Sequence, residues 1–303
     1  MIVMMWMWIW IASLQAEVPV GVYPSCGEVD ATEDCPLELE QRWSFISYVP
    51  TNARDSIRAA ELELGSGNRI DRAWRTTTGR WDVIVAVGDS GVRWAEPDLV
   101  NKIFINVGEL PLPEGSDTYD ADGNGLVNVQ DWANDSRVAI DAGDDEADAF
   151  LDASDLIYTF SDGVDDDDNG YVDDVAGWDF YKRDNDAFND WTDSHGTHGT
   201  GVMREVGAEA DNGGGIGACP NCAILPLRHS DSFVATGDRI AESIIYAADM
   251  GAAAIVLATG GFSDSATTAA AVDYAWERGT IVAGVIADEN SYHHNYPSTF
   301  DRV

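Results

Sequence analysis

Four short runs of consecutive apolar residues recur between residues 82 and 286. They read DVIVAVG (82–88), AILPLR (223–228), AAIVLA (253–258) and TIVAGVI (280–286). Apolar runs of this length are typical of strands that are buried on both faces of a sheet. The pattern therefore predicts four interior strands of a parallel sheet.

Helical periodicity lies between these runs. In residues 237–251, Ile240, Ile244 and Ala248 are spaced four apart, and the segment ends with a glycine. The helical pattern of residues 266–279 also ends with a glycine. Glycine directly after a helical pattern is a frequent helix stop. Strands that alternate with helices predict an α/β fold, a doubly wound parallel sheet with helices on both faces.

The N-terminus has the composition of a secretory signal peptide over residues 1–16. Its apolar run is too short for a comfortable membrane span and ends near small residues, with Ala16 as the predicted cleavage point. It lacks a basic region, so an uncleaved anchor or a misassigned start codon stays an alternative. We expect an N-terminal extension over 17–64 and an α/β domain over 65–303, with a long acidic insert at about 114–193.

The net charge of the chain limits the classes of molecule that it is expected to bind. The 303 residues include 54 acidic and 17 basic side chains, which gives a formal charge of −37. Such a surface repels nucleic acid and anionic membranes, and it suits cation binding or a salty exterior. Hydrophobic residues make up 45% of the chain, so the charge does not predict disorder.

The four cysteines fall into two local pairs, Cys26 with Cys35 and Cys219 with Cys222. In an exported protein, two local disulfides are the natural expectation. A zinc site would require all four thiolates to meet, or histidine ligands, and no histidine is near either pair in sequence.

The acidic insert contains a calcium-loop pattern in DADGNGLVNVQD, residues 120–131. Oxygen donors fall at positions 1, 3, 5, 9 and 12 of a twelve-residue loop, position 7 offers its carbonyl, and Gly125 takes the sharp turn at position 6. A solvated turn is the alternative. The predicted ligands are Asp120, Asp122, Asn124, the Leu126 carbonyl, Asn128 and Asp131.

A looser copy of this loop follows in DDDDNGYVDD, residues 165–174. Ala176 stands at position 12, so the loop is not a complete EF-hand. Ca²⁺ fits better than Mg²⁺, which prefers strict octahedral geometry and few protein ligands. The predicted ligands are Asp165, Asp167, Asn169 and the Tyr171 carbonyl, with Asp173 or Asp174 closing the shell.

Two further motifs bear on catalysis. Asp89 ends the first predicted strand, within DSG, at the edge where open α/β sheets place their active sites. The second motif is HGTH, residues 195–198. Two histidines three apart could bind zinc, but no HExxH-type glutamate accompanies them.

Taken together and in this order, DSG and HGTH resemble the motifs of subtilisin-like serine proteases, the subtilases. The resemblance covers about residues 65–303 and extends to DDVAGWDF, GACPNCAILPLR and NYPSTFDRV. It implies that Asp89 orients an imidazole, that His195 is the general base, and that His198 packs structurally without a catalytic role. It also implies a polypeptide substrate and a serine nucleophile in a Gly-Thr-Ser motif, which we expect beyond residue 303.

The chain departs from the subtilase pattern at two places. Asp288 stands where the family has an oxyanion-hole asparagine, and Ala258, Thr259 and Gly260 replace the substrate-lining Ser-Leu-Gly. An ionised carboxylate at residue 288 would repel a developing oxyanion. Three hypotheses stay open: a secreted calcium-binding endopeptidase, an inactive subtilase-like binding domain, and a calcium-dependent interaction protein.

Overall fold

The computed structural model describes residues 68–140, 150–190, 197–210, 212, 214–231, 234–286 and 294–303. The predicted signal peptide and the whole predicted N-terminal extension, including Cys26 and Cys35, lie outside these ranges. No helix of the described residues is both long and apolar enough to cross a bilayer. The elements, in chain order, are α1 (Ile70–Ala73), β1 (Ile84–Asp89), α2 (Ala153–Phe160), β2 (Trp178–Asp179), α3 (His198–Gly207), β3 (Ala223–Arg228), α4 (Gly237–Asp249), β4 (Ala254–Leu257), α5 (Ala266–Arg278) and β5 (Ile281–Gly284), with 3₁₀ helices at Val107–Glu109 and Val129–Trp132.

The five strands form one parallel sheet in the order β2-β3-β1-β4-β5. β1 lies at its centre, with Gly88 aligned to Leu227 of β3 and to Leu257 of β4. Asp89 therefore stands at the carboxyl end of the central strand, where ligand sites of open α/β sheets form.

Helices cover both faces of this sheet, as the alternating pattern predicts. Val87 is buried on one face, in a cluster that includes Met203 of α3 and Leu156 of α2. Ala86, the preceding residue, is buried on the other face with Ile244 of α4 and with α5. Successive side chains of a strand point to opposite faces, so β1 contributes to both halves of the core. The doubly wound α/β prediction is confirmed.

Apolar packing organises the long acidic insert. Trp132 and Leu156 have no exposed surface and belong to the same cluster as the sheet residues. Two capping boxes set the helix starts, one by Asn128 with Asp131 and one by Asp152 with Asp155. These reciprocal bonds satisfy amide groups that a helix start otherwise leaves unpaired.

The Cys219–Cys222 pair forms a disulfide in the turn before β3. Gly79 packs directly against it, at a φ of +97°, and a Cβ there would lie 2.4 Å from the Cys219 sulfur. The side chain of Asn221 donates to Thr78 Oγ1 at 2.7 Å. The disulfide turn thus holds the segment that leads into β1.

Candidate active site

The carboxylate of Asp89 is fully buried at the end of β1. Its Oδ1 accepts a hydrogen bond from the Ser90 amide at 2.7 Å and lies 2.8 Å from Nδ1 of His198. Its Oδ2 is buried without a hydrogen-bond partner among the described residues. A buried carboxylate held in this way favours a protonated Nδ1 on the imidazole that it touches.

His198 is the first residue of α3, and its side chain keeps 37% of its surface exposed. The hydrogen bond that His198 donates to Asp89 raises the pKa of His198 above its ordinary value, against the opposing effect of partial burial. Because Nδ1 is engaged by Asp89, Nε2 is the nitrogen left to exchange a proton with a substrate or a nucleophile.

Small residues bring the start of α3 onto the loop after β1. A Cβ at Gly199 would lie 2.3 Å from the carbonyl oxygen of Gly91, so only glycine allows this approach. Ser90 Oγ accepts hydrogen bonds from the Gly199 amide at 3.1 Å and from Asn189 Nδ2 at 3.0 Å. The Ser-Gly that follows Asp89 and the glycine that follows His198 therefore set the distance between carboxylate and imidazole.

In the structure, His198 has a contact that the sequence prediction did not include. The prediction gave this residue a purely structural role, whereas its imidazole contacts Asp89 directly. His195, the predicted base, lies outside the described residues. Its assignment therefore stays an untested prediction, and the described geometry supports His198 for the same task.

His195 and His198 each begin a copy of the same three-residue motif. His-Gly-Thr occurs twice in succession, at 195–197 and at 198–200. The second copy begins the helix, and Met203, five residues later, is fully buried beneath it. The helical spacing of apolar residues after His198 is the sequence signal for the start of α3 beside Asp89.

The predicted substrate segment 258–260 follows directly after β4. Its Gly260 forms a parallel bridge with Val234, with the Ala235 amide donating to the Gly260 carbonyl at 3.2 Å. Ala258 is half-buried and Thr259 is buried. An apolar cavity of about 280 Å³ opens beside this segment. Its walls come from residues 234–237, Ile240, residues 261–263, Thr268 and Tyr296. Asp288 lies outside the described residues.

Three carboxylates of the first acidic loop converge: Asp120, Asp122 and Asp131 have oxygen atoms within 4.8 Å of one another. Burial raises the pKa of Asp131. Asp120 Oδ1 is buried without a partner among the described residues. Asn128 instead caps the 3₁₀ helix through its Oδ1. The side chain of Asn124 bonds back to Asp122 and to the Leu126 amide.

Near the second acidic loop, the structure places a residue from outside the loop that sequence reasoning missed. Glu109 joins Asp165 and Asp167 in a second converging group. It accepts hydrogen bonds from the amides of Asp166 and Asp167, and burial raises its pKa. Glu109 precedes the insert by five residues, so the loop spacing carried no signal for it. Only the 3₁₀ turn at 107–109 brings it there.

The remaining predicted ligands of this loop have other partners. Asp173 accepts the amides of Asp162 and Gly163. Asp174 is buried against Tyr246, and burial raises its pKa to about 7. The side-chain nitrogen of Asn169 bonds to Asp167 and Asp174, and the ring of Tyr171 packs on Trp178, Phe180 and Tyr246. Neither Asp173 nor Asp174 belongs to the converging group among the described residues.

Comparison with known proteins gives two sequence relatives. Thermitase of Thermoactinomyces vulgaris is 37% identical over 131 residues, covering 43% of this chain and 45% of thermitase. A thermophilic serine proteinase of Bacillus sp. (strain AK1) is 36% identical over 131 residues, which is 43% of this chain and 31% of that protein. The chain thus spans less than half the length of these relatives.

Solved structures are less similar. Fervidolysin from Fervidobacterium pennivorans, described as a keratinolytic enzyme related to subtilisin, has 22% identity and a TM-score of 0.42, over 75% of this chain and 24% of that chain. The S41 psychrophilic protease has 19% identity and a TM-score of 0.39, over 73% of this chain and 51% of that one. The profile of the Subtilase family matches residues 81–301. The chain therefore belongs to the subtilase family.

Proposed function

We propose that this chain contributes the acid–base half of a serine endopeptidase, with Asp89 and His198 as two members of an Asp-His-Ser triad. The observation that carries the proposal is the 2.8 Å contact between Asp89 Oδ1 and His198 Nδ1 at the carboxyl end of the central strand. A buried carboxylate and an imidazole that it orients, with the other ring nitrogen left to exchange a proton, are what nucleophile activation requires.

In the proposed reaction, His198 Nε2 removes the proton of a serine hydroxyl as its oxygen attacks the scissile carbonyl carbon. The carbonyl electron pair moves to oxygen, and Asp89 stabilises the imidazolium that results. The same proton then passes from Nε2 to the leaving amine as the C–N bond breaks. Water repeats the sequence on the acyl-enzyme, which releases the acid and restores the serine. The serine is the triad member that the subtilase resemblance implies, and this proposal assigns it to no residue.

A polypeptide is the proposed substrate. Segment 258–260 continues past the last residue pair of β4 and β5, and an extended peptide could pair with the backbone of Ala258 and Thr259, next to the bridge between Gly260 and Val234. The apolar cavity of about 280 Å³ beside it suits a hydrophobic side chain of that peptide. The signal-like residues 1–16 and the charge of −37 support secretion of the protein.

The test of this function is covalent labelling of the full-length protein with a serine-directed fluorophosphonate. We expect labelling of the wild type and a strong loss in Asp89→Asn, because the neutral amide cannot hold the imidazole in its reactive tautomer. Asp273→Asn, an exposed carboxylate on α5, is the matched control and should label normally. Wild-type protein that is folded but unlabelled would contradict the proposal.

A binding domain without catalysis is the competing function, and Asp288 favours it, since loss of one oxyanion donor costs about 10²–10³-fold in rate. The two functions separate in the fluorophosphonate experiment, because a domain that only binds peptides retains peptide affinity without labelling. Asp288→Asn adds a second readout: in an active but impaired enzyme, restoring the donor should raise kcat.

We also propose that the two acidic groups bind Ca²⁺. The donors fit, because each group brings three carboxylates together and Asp120 Oδ1 is a buried acceptor without a partner among the described residues. Asp120, Asp122 and Asp131 would hold one ion, and Glu109, Asp165 and Asp167 the other. When bound, calcium would neutralise the crowded carboxylates and stabilise the native state.

A chelator should therefore lower the melting temperature of the wild type. Asp120→Asn should reduce this calcium-dependent shift, whereas Asp117→Asn, an exposed neighbour outside the group, should preserve it. An identical melting temperature with calcium and with chelator would contradict both sites.

A further inference from the structure

A buried histidine lies between the catalytic strand and the predicted substrate segment. His229, directly after β3, has no exposed surface. Its amide donates to the carbonyl of Asp89 at 3.0 Å. A Cβ on Gly88 would lie 2.8 Å from its Cε1, so the glycine before Asp89 makes room for this ring. The proposed mechanism assigns no role to His229.

Both ring nitrogens of His229 have partners on other elements. Nδ1 is 3.2 Å from Ser243 Oγ on α4, and Nε2 is 2.5 Å from Thr259 Oγ1 in the substrate segment. The imidazole therefore joins three elements at one point: the end of β1, the helix α4 and the segment after β4.

The hydrogen bonds of the neighbours decide which nitrogen carries the proton. The Ser243 hydroxyl has one hydrogen, which it donates to the carbonyl of Ile240 at 2.9 Å. Ser243 Oγ is then an acceptor for His229, so Nδ1 bears the proton. The 2.5 Å contact at Nε2 is shorter than N–H donors usually give, and it suits the hydroxyl of Thr259 as donor.

The electrostatic environment of His229 favours a neutral imidazole. Burial lowers the pKa of His229 to about 4, with the Asp89 carboxylate raising it and the Arg239 guanidinium lowering it further. A neutral imidazole has one donor and one acceptor nitrogen, which matches one acceptor hydroxyl and one donor hydroxyl.

We propose that His229 is a positioning residue that holds Thr259, and with it the peptide-pairing segment 258–260, through its Nδ1–H tautomer. This role rests on the proposed peptidase function. Thr259 is 1% exposed, and its hydroxyl points at the histidine instead of at a substrate. Its side chain thus fixes the position of the segment through the histidine.

The first test is the tautomer itself. In ¹H–¹⁵N correlation spectra of the full-length protein, the His229 signals are those that disappear in His229→Asn. We expect Nδ1 to have the shift of a protonated nitrogen and Nε2 that of an unprotonated acceptor, although Nε2–H is the usual tautomer of a free histidine. A protonated Nε2 would overturn the proposed arrangement.

The second test is peptide affinity, measured with an extended peptide whose scissile amide is replaced by a reduced amide. Thr259→Val removes the hydroxyl donor and keeps the shape, and we expect the dissociation constant to rise by roughly tenfold because Nε2 loses its partner and the segment loses its anchor. Thr259→Ser keeps the hydroxyl and should bind within about twofold of the wild type.

Thr280→Val is the matched control for general destabilisation. Thr280 is equally buried, and its hydroxyl donates to the Ala252 carbonyl at 2.7 Å at the other end of the sheet. Its loss should leave peptide affinity unchanged. Equal affinity of wild type and Thr259→Val would overturn the positioning role. A wild type that binds no peptide at all would instead refute the proposed function.

Discussion

We expect acidic pH to lower the unfolding free energy of this protein through the buried imidazole of His229. The pKa of His229 falls from 6.5 to about 4 on burial. Because the native state resists protonation, His229 stabilises the fold fully above pH 6.5, and this contribution is lost as the pH falls from 6.5 toward 4. At about 1.4 kcal/mol for each pKa unit, the loss amounts to about 3 kcal/mol of unfolding free energy.

Urea unfolding at a series of pH values between 7.5 and 4.5 measures this loss, with His229→Asn as the comparison. The carboxyls whose pKa is raised, such as Asp174 and Asp179, titrate in both proteins, so their effect cancels in the difference. We expect the variant to be less stable at neutral pH and its stability to fall less steeply toward pH 4.5. Parallel curves for the two proteins would refute the reasoning.

Two further perturbations test the packing around the site. Gly88→Ala places a Cβ 2.7 Å from Leu257 Cδ2 and 2.8 Å from His229 Cε1. We expect this substitution to lower the unfolding free energy by about 1–3 kcal/mol in urea titrations. An unchanged midpoint would show that the site tolerates a methyl group. Replacing Cys219 and Cys222 together by alanine opens a very short disulfide loop. We expect the unfolding free energy to fall by about 2 kcal/mol. Equal stability of the variant and the oxidised wild type would contradict a stabilising disulfide.

The sequence predicted four of the five strands and missed β2. The four apolar runs became β1, β3, β4 and β5. β1, β3 and β4 lie inside the sheet, where both faces need apolar side chains. The prediction of an interior strand was wrong for β5, which lies at one edge of the described sheet with Ile281 exposed. β2 contains only Trp178 and Asp179, too few residues for any periodicity. Its place at the edge is set by pairing with β3, which no local pattern encodes.

The sequence also predicted only part of the candidate site. Asp89 was predictable because it ends a continuous apolar strand at the functional edge of the sheet. The sequence predicted His195 as the base, which lies outside the described residues, and only the start of α3 shows that His198 contacts Asp89. Glu109 and His229 join their clusters through tertiary contacts, so neither has a spacing signal.

Peptide hydrolysis by two alanine variants tests the central claim most directly. In the full-length protein, His198→Ala should lower kcat by at least about 10³-fold, because the imidazole bonded to Asp89 is the base. His195→Ala, three residues earlier, should retain most of the wild-type kcat. The reverse result, with activity lost at His195 and kept at His198, would contradict the assignment of the Asp89–His198 pair.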